Sequence, residues 1–187
     1  MKIAILGWGS LVWDERGIPL DTGWMPCGPE LPIELSRISS SRNDALTLVI
    51  DSTNGRYVRT YFALSKRTEL EEAISDLCKR ENMTSRCRIG YVNLVDGSER
   101  SEVIPGASGS IREWASQAHV DAVIWTDLGS NFWDKKKTLF SIEAAIQHLH
   151  DLEAQGARAA REYILNIPEG VNTDLLDELD HDSWLYP

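Results

Sequence analysis

Several things are scarce in this chain, and each shortage argues against a class of function. Cysteine is one: there are three in 187 residues, Cys27, Cys78 and Cys87, scattered, odd in number and without a C-x-x-C pair. That argues against a disulfide framework and against zinc-ligand spacing, and it reads as free thiols in a reducing compartment. Of the four histidines, His148 and His150 are two apart, which turns them away from each other on a helix, so no metal site is expected. Long apolar runs are missing as well. The first apolar stretch is cut by Gly7, Gly9 and Ser10, and charge follows at Asp14. Neither a secretory leader nor a transmembrane span is expected, and the expected location is cytoplasmic. Positive charge is in deficit, with 19 Lys and Arg against 29 Asp and Glu and a net charge of -10. Such a field repels nucleic acid and anionic membranes, so neither is expected as a partner.

What remains is the material of an ordinary core. Hydrophobic residues make up 42% of the chain and seven are Trp. A chain of this length buries roughly 70% of its unfolded surface on folding. No linker, repeat or low-complexity tract interrupts it, so one domain over residues 1–187 is expected.

The first thirteen residues, MKIAILGWGSLVW, carry the densest signal. Residues 3–6 read as a buried strand that breaks into Gly7-Trp8-Gly9-Ser10, a turn with two glycines and a small hydroxyl residue. Glycines permit positive φ and close backbone approach, and successive N–H groups in such a turn can form an anion-binding nest. A dinucleotide fingerprint G-x-G-x-x-G is the first alternative. Gly7 and Gly9 fit it, but Val12 stands at the third glycine. Gly17, Pro19, Gly23, Pro26, Gly28, Pro29 and Pro32 then forbid the long helix that the fingerprint needs.

The middle of the chain is β-rich. Residues 33–38 (IELSRI), 45–51 (ALTLVID) and 56–65 (RYVRTYFALS) read as strands, with Asn54-Gly55 as a hairpin signal, giving a three-stranded antiparallel meander. Thr68 and Glu71 have capping-box spacing ahead of Leu70, Ala73, Ile74 and Leu77, which predicts a helix from Glu69 to Lys79 or Arg80. Residues 88–95 (RIGYVNLV) and 120–126 read as further strands. Residues 105–109 read as a flexible loop, and Ser110 with Glu113 as the cap of a short helix. Ser141 caps a helix over 142–154 that Gly156 interrupts; a second helix runs over 157–166, and a last acidic turn starts at Asn172 or Thr173.

With the elements in that order, two motifs carry a resemblance. G-W-G-S-L-V-W resembles the Y-G-S-L or Y-G-S-N opening of gamma-glutamylcyclotransferase-like proteins, closest to the glutathione-acting branch with its G-Y-G-S-L-x-W. Trp8 stands where that motif has Tyr, which keeps an aromatic face and an N–H donor but loses the hydroxyl. Leu77-Cys78-Lys79-Arg80-Glu81-Asn82 is similar to the family's L-x-x-R-E at a helix end, whose Glu is the catalytic acid/base. Asn82 stands where one form of that motif has Gly, and both residues tolerate φ > 0. The pattern covers residues 3–95, and Glu162-Tyr163-Ile164 is loosely similar to an E-Y-[IL] in the family's helical tail.

The resemblance implies an α+β fold, a mixed β-sheet or small barrel flanked by helices, with a helical C-terminal half. It implies a small-molecule γ-glutamyl substrate held by Gly7, Trp8, Gly9, Ser10 and Leu11, with Glu81 as general acid/base. The α-amine attacks its own γ-carbonyl, 5-oxoproline forms and the attached amine leaves, with no metal or organic cofactor. Because the reacting atoms share one molecule, folding the substrate supplies much of the rate. Two other classes stay open: a non-catalytic γ-glutamyl-binding module of the same fold, and an amide hydrolase or amidotransferase using the same loop. Among other polar residues, Glu34, Arg37 and Ser39 face either a pocket or solvent. Asp127, after the strand at 120–126, is a second candidate acid/base or a surface carboxylate.

Overall fold

The computed structural model describes residues 1–83, 85, 88–104 and 108–185. Cys87 and residues 105–107 of the expected loop lie outside them. The protein is α+β, with a five-stranded mixed sheet, a small three-stranded sheet and flanking helices. The chain divides into two compact units, Met1–Glu30 with Arg59–Leu128, and Leu31–Val58 with Gly129–Pro187. Among the described residues no helix is long and apolar enough to cross a membrane.

The first unit contains β1 (Ile3–Gly7), β5 (Tyr61–Leu64), β6 (Ile89–Asn93), β7 (Glu99–Arg100) and β8 (Ala122–Thr126), in the order β5-β1-β8-β6-β7. β1 is antiparallel to β5 and parallel to β8, with Ile5 level with Ile124; β6 runs antiparallel to β8. β1 lies between two partners and is buried throughout, which explains its unbroken apolar run. Helix α1 (Leu70–Arg80) buries Ala73, Ile74, Leu77 and Cys78 in one cluster with Ile3, Ile5, Leu11, Ile89 and Ile124. It opens at Glu69 without a side-chain cap bond, so the expected capping box does not form. Helix α2 (Ser108–Gln117) begins two residues before the expected cap Ser110 and takes in Ser108 and Gly109, read above as loop; Ile111 and Ala115 are its buried face. Gly90 sits directly across from Trp125, and a Cβ there would overlap the buried indole.

The second unit contains β2 (Glu30–Ser39), β3 (Ala45–Ile50) and β4 (Arg56–Arg59), in the order β3-β2-β4. The expected meander is therefore corrected: β4 lies beside β2, not β3. The turn between them explains this. The Asp51 carboxylate accepts the Thr53 and Asn54 N–H groups, and Gly55 packs against the Pro32 backbone of β2, where a Cβ would have no room. The chain is carried over β2 to its far edge. The expected strand 56–65 also divides at Thr60 into β4 and β5, which belong to different sheets.

Helices α3 (Phe132–Lys136), α4 (Ile142–His150), α5 (Ala154–Leu165) and α6 (Asp174–Leu179) complete this unit. Ser141 caps α4 through the Ala144 N–H, as the sequence predicts. The break between α4 and α5 falls at residues 151–153 and not at Gly156. Gly156 lies in the first turn of α5, where a Cβ would come within 2.6 Å of the Asn43 carbonyl oxygen. Close approach, not helix termination, requires that glycine.

Candidate functional site

The site forms in the first unit, where two chain reversals meet. The first follows β1. Val12 N–H donates to the Gly9 carbonyl and Asp14 N–H to the Ser10 carbonyl, both at 2.9 Å, winding residues 9–14 into a tight turn. Neither Gly7 nor Gly9 takes a positive φ. Gly7 is required for space, since Trp24 and Val12 occupy the position of its missing Cβ. Among the described residues no protein acceptor takes the N–H of Gly9, Ser10 or Leu11. The turn thus opens on three backbone donors that the fold itself does not use.

The second reversal ends α1. Glu81 is its C-cap, and Asn82 follows at φ 52°, in the left-handed region. Met83 N–H reaches back to the Cys78 carbonyl (2.9 Å) and Asn82 N–H to the Lys79 carbonyl (3.1 Å). These two bonds define a Schellman turn, with Asn supplying the conformation that Gly usually takes. Met83 packs on the cluster that holds Cys78, the apolar contact that accompanies such turns. The chain therefore turns sharply at Glu81.

Arg80 joins the two reversals. Its Nε and Nη2 both donate to the Asp14 carbonyl, at 3.0 and 2.5 Å, and Nη2 also makes a long contact of 3.4 Å to Ser10 Oγ. Nη1 donates to Glu81 Oε1 at 2.5 Å. The Arg80 side chain is only 3% exposed and that of Glu81 19%, so the pair is shielded from bulk water while Glu81 keeps one open side. Thr126 Oγ1, at the end of β8, makes a second long contact of 3.4 Å to Glu81 Oε1. Both contacts converge on Oε1, and among the described residues no hydrogen bond reaches Oε2. Because β1 and β8 run parallel, the glycine turn and Thr126 stand together at the carboxyl ends of neighbouring strands, where α/β sheets build ligand sites.

The predicted site residues fall into two groups. Ser10 and Glu81 are brought together through Arg80. Gly7, Trp8, Gly9 and Leu11 are buried; Leu11 packs with Ile3, Ile5 and Ile74, so it can offer the site only its backbone. Sequence reasoning missed the bond from Arg80 to the Asp14 carbonyl, because nothing in local spacing relates residue 14 to residue 80. Asp127, the second candidate acid, is engaged elsewhere: its carboxylate accepts from Ser101 Oγ (2.8 Å), the Glu102 N–H (2.5 Å) and Trp125 Nε1 (3.0 Å). It pins the loop after β7 to β8. Among the described residues no group of three or more His, Cys, Asp or Glu side chains is placed to hold a metal ion. The free thiols described are Cys27, exposed, and Cys78, buried.

Compared with protein-family models, curated proteins and solved structures, the chain gives no match.

Proposed function

We propose that the first unit carries a γ-glutamyl cyclotransferase site, with the fold of the gamma-glutamylcyclotransferase-like family, working in the cytoplasm on a small γ-glutamyl amine or peptide. The observation that supports this reading is the Arg80 guanidinium, bonded on one side to Glu81 and on the other to the Asp14 carbonyl and Ser10 hydroxyl of the turn after β1.

The chemistry follows from those parts. The N–H groups of Gly9, Ser10 and Leu11 hold a carboxylate of the substrate or the oxyanion that develops on its γ-carbonyl. Glu81 accepts a proton from the α-ammonium through Oε2, leaving Oε1 fixed by Arg80. The freed α-amine attacks the γ-carbonyl carbon, and a C–N bond closes the five-membered lactam. As the tetrahedral intermediate collapses, the original amide C–N bond breaks, Glu81 returns its proton to the departing nitrogen, and the second proton of the attacking nitrogen passes to the released amine, which leaves as its ammonium. One γ-glutamyl amide gives one 5-oxoproline and one amine, with no water consumed.

The test is product analysis of the purified chain on glutathione and a panel of γ-glutamyl amino acids and amines. Release of 5-oxoproline in step with the amine supports the proposal. Glutamate and amine in place of 5-oxoproline indicates amide hydrolysis, and calorimetric binding without turnover indicates a binding module; either outcome overturns it.

A further inference from the structure

The second unit holds a titratable group that the proposed reaction does not use. Glu34 lies in β2, the central strand of its sheet, and is 0% exposed. Its Oε1 accepts the Leu35 N–H at 2.6 Å, while Oε2 is buried and has no hydrogen-bond partner. Two residues along, where the register of β2 against β3 shifts, the buried Ser36 hydroxyl is also without a partner.

The charged groups near this carboxyl are accounted for. From the start of α6 the Thr173 hydroxyl and the Leu175 N–H face it as donors that favour the charged carboxyl, less strongly than burial disfavours it, and the Asp174 carboxylate repels a negative charge there. Asp174 and Asp177 are both bound by Arg56 of β4, at 2.5 and 2.7 Å, and His181 lies near Asp177. Its neighbour across on β3 is Val49. The one cation in this set is thus turned to the α6 aspartates, and among the described residues none pairs with Glu34. An ionised carboxylate in such a place is costly, and burial pushes the Glu34 carboxyl above the usual carboxylate range.

We propose that Glu34 is a neutral carboxylic acid when α6 is seated on β2, and that loss of its proton to solvent releases α6, making this contact a pH-sensitive latch in the second unit. The sign follows from linkage. The seated form binds one proton more than the released form, so seating weakens as pH rises above the value of an exposed glutamate, near ~4.3. The weakening ends once the buried acid itself has ionised. This inference stands independently of the proposed reaction.

The test is amide hydrogen exchange of residues 172–180 in the full chain, corrected for intrinsic rates and measured across pH for wild type and Glu34→Gln. Wild-type protection should fall about tenfold per pH unit over that interval, the slope of one linked proton. Glu34→Gln, which keeps the shape and cannot ionise, should show protection independent of pH in the same interval. A flat wild-type profile, or an unchanged slope in Glu34→Gln, overturns the latch. Should Glu34→Gln fail to fold, infrared difference spectra of wild type decide the matter. A protonated-carboxyl band that disappears as pH rises through the interval supports it, and absence of that band overturns it.

Discussion

Four buried polar side chains, two in each unit, differ in how they are partnered. In the first, Arg80 and Asp127 have several partners each. Arg80 serves the Asp14 carbonyl, Ser10 and Glu81, and Asp127 receives three donors. In the second, Glu34 has an orphan oxygen, and His148 sits against Phe132 with its Nε2 on the Asp44 carbonyl. Burial pulls the His148 imidazole below its ordinary value and pushes the Glu34 carboxyl above its own. Both shifts favour the neutral form. Arg80 and Asp127 are thus surrounded by partners, whereas burial at Glu34 and His148 favours the uncharged group.

That contrast can be broken most forcefully at Arg80. Arg80→Met leaves the Asp14 carbonyl without its donors and Glu81 without its countercharge, and should lower stability by about 3 kcal/mol in urea denaturation. A loss near zero would mean that the pair contributes nothing to the first unit. Asp127→Ala strands three donors around a buried indole, and a loss of about 2 kcal/mol is expected by the same measurement. In the second unit, Thr173 caps α6 by accepting the Leu176 N–H, so Thr173→Ala should cost about 1 kcal/mol. Local exchange in α6 should report most of that loss. The smallest effect belongs to His148. Its folded value is depressed, so the unfolded chain binds more protons; its contribution is complete above about pH 6.5 and is lost as pH falls through the interval below. Denaturation midpoints between pH 5 and 7 should show that slope in wild type and lose it in His148→Gln. A slope that persists in the variant would assign it to another group.

The elements that could be read from the sequence were those whose signals are local. β1, β3, β6, β8 and α1 declare themselves by apolar runs or helical spacing, and Asn82 by its tolerance of the left-handed region. The candidate site was legible as two short motifs. What escaped was long-range. The order β3-β2-β4 depends on Pro32 passing beneath Gly55, and the division at Thr60 depends on which sheet each half joins. Glu34 alternates with apolar neighbours and so resembles a polar residue at a solvent or pocket face, yet the central strand of a covered sheet buries both faces. Arg37, read with it, is half-buried and donates to the Gly129 carbonyl at 2.8 Å. Asp127 stands at a strand end, as site carboxylates often do, and only its three partners reveal a structural role. Gly156 looked like a helix breaker because its reason for being glycine, the Asn43 carbonyl, lies more than a hundred residues away.

The central claim is that Glu81 moves the proton in lactam formation, and comparison of 5-oxoproline release by wild type and Glu81→Gln tests it most directly. The amide keeps the shape and the Arg80 contact while removing the base, so the turnover rate should fall by roughly 10²- to 10⁴-fold with the fold intact by circular dichroism. Wild-type turnover that the variant matches would contradict the account.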